Sequence, residues 1–288
     1  MRFLDVKTDF AFKRVFGGSA SAEILLDFLN AVLEYPPERA IVDLTIVDPY
    51  QIPLIKGMKE TYVDVKAILA DGRQVIIEMQ VLNVEGFEQR ILFNAAKSYS
   101  LQLKEGEQYD LLNPVIALTL TDFTLFDNAA LTHRFKLTDK SQLLEYSDDI
   151  ELVFIELPKF TLTEAELATP KDRWLYFIKH AGDLSFIPET LAREPQIQQA
   201  FDIANKAGLS QEELEAQHKR HDFIILQRGS LKKARNDGWR DGRIEGIAEG
   251  KQEKALEIAR QLLNVLDDAT IAAKTGLLVD EVAELRRD

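Results

Sequence analysis

Two carboxylates and an amide, Asp64, Glu78 and Gln80, lie in a stretch whose alternation of polar and apolar residues lets their mutual positions be worked out. Tyr62 to Val81 reads Y-V-D-V-K-A-I-L-A-D-G-R-Q-V-I-I-E-M-Q-V, two strand-like runs joined around Asp71-Gly72. Successive strand residues face opposite sides, so polarity reports the pairing register. A two-residue Asp71-Gly72 turn would set Val63, Val65, Ala67 and Leu69 on one face with Gln80, Glu78, Ile76 and Gln74. Burying those polar groups costs roughly a few kcal/mol each. A three-residue Ala70-Asp71-Gly72 loop with a left-handed Gly72 pairs Leu69 with Arg73 instead. One face then carries Val63, Val65, Ala67, Leu69, Val75, Ile77, Met79 and Val81. The other carries Tyr62, Asp64, Lys66, Ile68, Gln74, Ile76, Glu78 and Gln80, with Asp64 directly across from Glu78.

Facing carboxylates repel, and each pKa rises unless a cation lies between them. Oxygen-only ligands suit Mg²⁺ or Mn²⁺, which take one or two carboxylates together with water and phosphate. The same residues also describe the solvated face of an antiparallel hairpin on which Lys66 neutralises an acid. Spacing alone leaves both readings open.

Asp64 followed by Glu78-Met79-Gln80 on the next strand resembles the PD-(D/E)XK nuclease pattern, and within it the recombination-promoting nuclease/transposase family. Other stretches carry the likeness: Asp9-Phe10-Ala11-Phe12-Lys13-Arg14-Val15-Phe16-Gly17, Tyr62-Val63-Asp64-Val65, Arg90, Tyr99-Ser100-Leu101-Gln102-Leu103, Tyr109, Pro114-Val115-Ile116, Phe154 to Phe160, and Trp174-Leu175-Tyr176-Phe177. They span roughly residues 1 to 180, and order and spacing make them specific together. The resemblance implies a restriction-endonuclease-like α/β fold, a mixed sheet with flanking helices, with a helical C-terminal region appended. It implies a Mg²⁺- or Mn²⁺-dependent endonuclease acting on double-stranded DNA in recombination or transposition. Asp64 and Glu78 would hold the metal with Asp9 as a further acid. The superfamily lysine is replaced by Gln80, which can orient a water but supplies no charge. Lys66 would supply the charge from the same face, with Lys13 as a second candidate. Arg90, Gln102 and Lys13 would contact DNA. The other possibility is a catalytically silent relative that binds nucleic acid or protein through its helical tail.

Several elements must position these residues. Phe10 to Phe16 reads as a short helix capped by Thr8 or Asp9 and stopped by Gly17-Gly18. Ser21 to Glu34 is a helix with Ile24, Leu25, Phe28, Leu29 and Val32 on its apolar stripe, ended by Pro36-Pro37. Ile41 to Asp48 reads as a strand and Pro49 to Glu60 as a polar connection. Glu85 to Leu103 reads as a helix with Phe87, Ile91, Leu92, Ala95, Tyr99 and Leu103 toward the core and Asn94 on the ordinary surface. Val115 to Leu120 has the continuous apolar run of a strand buried on both faces. Phe135 to Leu137 and Ile150 to Leu157 read as edge strands flanking a short helix near Gln142.

The 288 residues suffice for one sizeable α/β domain with appendages, and 46% are hydrophobic. There is no cysteine for a disulfide or a thiolate metal site. The start, M-R-F-L-D-V-K, lacks a signal-peptide core, and Leu111 to Thr121 is too short to span a bilayer, so a cytoplasmic protein is expected. A net charge of −13 argues against broad adhesion to nucleic acid. The acid is uneven, however: Glu145 to Glu166 is acidic and Lys232 to Arg243 basic.

The expected division is a nuclease-like domain over 1–169, a helical region over 170–229 and a tail over 230–288. The tail repeats acid-Gly at Asp237-Gly238, Asp241-Gly242, Glu245-Gly246 and Glu249-Gly250; the segment is either a flexible linker or, the preferred reading, a ridge for close helix pairing within or between chains, the latter giving a homodimer. Ala255 to Leu266 and Ala269 to Leu285 follow as helices around Lys274-Thr275-Gly276-Leu277. That turn resembles a helix-turn-helix turn, but Asp280, Glu281 and Glu284 make the final helix too acidic to expect DNA reading. His218 and His221, one helical turn apart, read as solvated, while His133 and His180 are isolated.

Overall fold

The computed structural model describes residues 3–51 and 61–287. Its sheet orders β1 (Leu44–Val47), β4 (Val65–Leu69), β5 (Gln74–Gln80), β6 (Val115–Thr121), β8 (Glu145–Glu156) and β7 (Thr132–Thr138). The pairings β1·β4, β4·β5 and β7·β8 are antiparallel; β5·β6 and β6·β8 are parallel. Helix α3 (Phe87–Ser100) makes the crossover between β5 and β6, which yields the mixed sheet expected. The short strands β2 (Tyr50–Gln51) and β3 (Thr61–Tyr62) pair separately. Residues 52–60 of the expected polar connection lie outside the described residues.

The hairpin register is the one that separates apolar from polar side chains. Val65 pairs with Ile77 and Ala67 with Val75, the Leu69 N–H donates to the Arg73 carbonyl at 2.8 Å, and Gly72 has φ +88°. One local correction falls at Asp64. Its N–H donates to the Ile77 carbonyl at 3.0 Å, so Asp64 and Val65 both oppose Ile77 in a bulge and the strand breaks there. The extra residue reverses the facing of what precedes it. Val63, expected beside Val65, packs instead with Ile76, Ala95 and Val115 on the α3 side.

The opposite face of the sheet is covered by α1 (Asp9–Phe16), α2 (Ala22–Leu33), α4 (Pro170–His180) and α6 (Pro195–Ile203), with the small helix α5 (Glu189–Ala192) beside them. Phe16, Phe28 and Trp174 meet there, with ring centroids 4.7–5.8 Å apart. Trp174, Leu175, Phe177 and Ile178 thus share one core with the sheet, although they fall in the stretch read as a separate helical region. The chain divides into units 1–224 and 225–288, within the long helix α7 (Gln211–Leu262). The second unit has its own small core, in which Ala259 meets Ile271, Leu277 and Val282 of α8 (Asp268–Thr275), α9 (Val279–Leu285) and the Gly276 turn between them.

Three further expectations are corrected. Residues 139–144 form a turn, not a helix, because the Asp139 carboxylate takes the Ser141 and Gln142 N–H groups and Leu143 adopts φ 55°. Strand β8 is interior to the sheet, between β6 and β7. Leu92 is exposed, and the buried stripe of α3 runs through Asn94 instead.

Candidate nuclease site

Asp64 and Glu78 line one open cavity of about 390 Å³, together with Asp9, Lys13, Gln80 and Arg90. The bulge decides where the Asp64 carboxylate goes. Its Oδ2 accepts the Met79 N–H at 2.8 Å, a donor that an unbroken ladder would give to the neighbouring strand. The other oxygen lies 3.3 Å from Lys13 Nζ, which is also 2.7 Å from Asp9. Helix α1 starts at Asp9, so the acid and the lysine stand on one face, one turn apart.

Burial, and a hydrogen bond shared with Asp9, push the Asp64 carboxyl up to about 7. Burial raises Asp9 too, but its hydrogen bond with Asp64 and its pairing with Lys13 outweigh that and leave it lowered. Burial also raises Glu78, against the pull of Arg90 and Asn94.

Glu78, only 7% exposed, is held from α3: Asn94 Nδ2 donates to Oε1 at 2.5 Å and Arg90 Nη2 to Oε2 at 3.2 Å. Arg90 also donates to Gln80 Oε1 at 2.8 Å, while Gln80 Nε2 donates to the Leu82 carbonyl at 2.7 Å. Arg90 therefore ties the acid and the amide of β5 together. Asn94, read from sequence as surface, is 1% exposed. The missed signal was its place on the stripe of Phe87, Ile91, Ala95 and Ser98, where a polar group is buried only with a partner.

The remaining sequence candidates lie elsewhere. Lys66 is not among the residues that line the cavity; on β4 it sits between Val47 and Ile76, and burial lowers its pKa. Gln102 clamps the approach to β6, exchanging hydrogen bonds of 2.8 and 2.9 Å with the Asn113 backbone. Residues from far along the chain enter the cavity unannounced: Arg220, Phe223 and Ile224 on α7, with Arg220 3.4 Å from Asp9.

The donor set suits a small divalent cation bound through oxygen. Burial holds the Asp64 carboxyl up to about 7, where a cation beside it would favour the ionised form, and Asn94 Oδ1 is buried without a hydrogen-bond partner among the described residues. Among those residues no group of three or more His, Cys, Asp or Glu side chains is arranged to hold a metal.

A mixed sheet with an acid pair at the β4 and β5 end of the hairpin, followed by a helix that crosses over to β6, fits the PD-(D/E)XK nuclease class. The model of the PD-(D/E)XK nuclease family transposases matches residues 6–234, and the chain belongs to that family. No curated protein and no solved structure matches the chain.

Proposed function

We propose that this protein is a divalent-dependent DNA endonuclease whose Mg²⁺ or Mn²⁺ is held by Asp64 and Glu78, with Asp9 beside them. The observation that carries the reading is the convergence of Asp64, at the bulge before β4, and Glu78, on β5, in one cavity where Asp64 is pushed up to about 7. When bound, the cation supplies Lewis acidity toward a phosphate oxygen and makes water a better nucleophile. Asp64 would release its proton to solvent on holding the cation. Lys13, within reach of both acids, balances charge on the phosphoryl oxygens in place of Lys66. Arg90 orients Glu78 and Gln80, and Gln80 keeps one N–H and one oxygen lone pair with which to align a water.

One observation favours a second reading, a catalytically silent relative: both Glu78 oxygens and the Gln80 oxygen already accept protein donors. Cleavage of supercoiled plasmid with Mg²⁺, Mn²⁺ or Ca²⁺ separates the two. Nicking that disappears in both Asp64→Ala and Glu78→Ala supports the nuclease; parent and variants cutting alike removes the site.

A further inference from the structure

The walls of the cavity are not uniformly charged. Two aromatic residues, Tyr62 from β3 and Phe223 from α7, also line it, and they are 63% and 53% exposed. Tyr62 is stacked on Tyr50, with centroids 4.4 Å apart and planes 16° from parallel, so one face of its ring is covered and held. The part of α7 that carries Phe223 is tied down by Arg14 to Glu213 at 3.3 Å and by Arg220 to Asp9 at 3.4 Å. Aromatic surface beside an acid pair has no use for a paired duplex, whose base faces are already stacked on one another. It does have a use for a base out of its stack, since every base presents a π-face and stacking is sequence-tolerant.

The overall charge points the same way. At −13 the protein as a whole is poorly suited to broad adhesion to duplex by counterion release. Affinity from stacking, with Lys13, Arg90 and Arg220 for one or two phosphates, suits such a chain.

Resting on the nuclease reading above, we infer that the strand segment taken at this site is unpaired: a nucleotide enters the cavity with its base against Phe223 or Tyr62 and its phosphate toward Lys13 and the carboxylates. The preferred substrates are then single strands, flaps, bubbles or frayed ends, and blunt duplex is poor.

The test separates binding from cleavage. With the full chain in EDTA at low salt, fluorescence anisotropy compares a single-stranded oligodeoxynucleotide with its blunt duplex, and 2-aminopurine emission reports stacking. The expectation is preferential single-strand binding with quenched emission. Phe223→Ala and Tyr62→Ala should each weaken it on the order of tenfold, and Phe223→Tyr should restore it. Both rings are exposed, so the melting temperature is expected to stay at the parent value. Equal affinity for duplex and single strand, or variants that bind as the parent does, overturns the inference. Cleavage with Mg²⁺ is read apart. Binding that follows the aromatic rings without any cleavage sinks the nuclease reading and keeps the unpaired-strand site. Cleavage of blunt duplex at the rate of a flap, unaffected by Phe223→Ala, sinks the inference and keeps the nuclease.

Discussion

Asn94 Nδ2 donates to Glu78 Oε1 at 2.5 Å across the interface between α3 and β5, and both residues are buried. A buried carboxylate held in this way has its orientation set before any ligand arrives. Asn94→Ala should leave one Glu78 oxygen without its donor, at a cost of about 1–3 kcal/mol in urea denaturation. It should also raise the Glu78 pKa further, because a bond to its charged form is lost. Asn94→Asp should be the more damaging change, placing a second acid against Glu78. A stability at or above the parent's in Asn94→Ala would mean that the bond does not hold the acid.

The Asp64 carboxyl predicts a slope in stability with pH. Its folded-state pKa is raised, to about 7 from 3.8. Between those values the unfolded chain has released a proton that the folded chain keeps, so the folded state loses stability as pH rises from about 4 to about 7. The slope per group is at most about 1.4 kcal/mol per pH unit. Asp9 is lowered and acts oppositely, losing stability as pH falls below its unfolded value. Asp64→Asn should flatten the upper window and leave the acid limb, a difference that denaturant melts at several pH values would read.

Because a carboxylate must be ionised to bind a cation, divalent affinity should climb with pH to about 7 and level off above it. Calorimetric titration with Mn²⁺ should also show proton release below pH 7. Asp64→Ala should abolish both signals. Affinity independent of pH from 5 to 8 would place the metal elsewhere.

Lys13 and Lys66 should separate clearly. Lys13 contacts two of the acids, so Lys13→Met should lower cleavage at least tenfold and raise the Asp64 pKa. Lys66→Met should change cleavage little, since Lys66 is not part of the cavity lining. The converse order of the two variants in a plasmid assay would restore Lys66 to the chemistry.

The tail offers a test of association. Leu226, Leu231, Trp239 and Ile244 are exposed on α7, and nothing lies within 4 Å of a Cβ built at Gly238, Gly242, Gly246 or Gly250. If this surface pairs two copies of the chain, light scattering should give a dimer for the full protein and a monomer for residues 1–224. The shortened chain should keep its fold, because its large core lies wholly before residue 225. The same oligomeric state for both lengths would exclude tail-mediated pairing.

What the amino-acid order determined by itself is local or periodic. Alternation with a period of two set the β4·β5 register, because a slip by one residue would bury Glu78 and Gln80 among Val65 and Ala67. Gly72 announced its positive φ, and the unbroken apolar run from Val115 announced a strand covered on both sides. Tertiary structure alone decided the bulge at Asp64, since a carboxylate that takes the Met79 N–H competes with the backbone only once β5 is in place. It likewise decided that Lys13, not Lys66, reaches the acids, and that Asn94 and Arg90 hold Glu78. It alone brought Arg220 and Phe223 to the cavity from more than a hundred residues away. Periodicity reports which face of its own element a residue occupies. Which face of another element it meets is set by how helices and sheet pack, and that depends on the whole core at once.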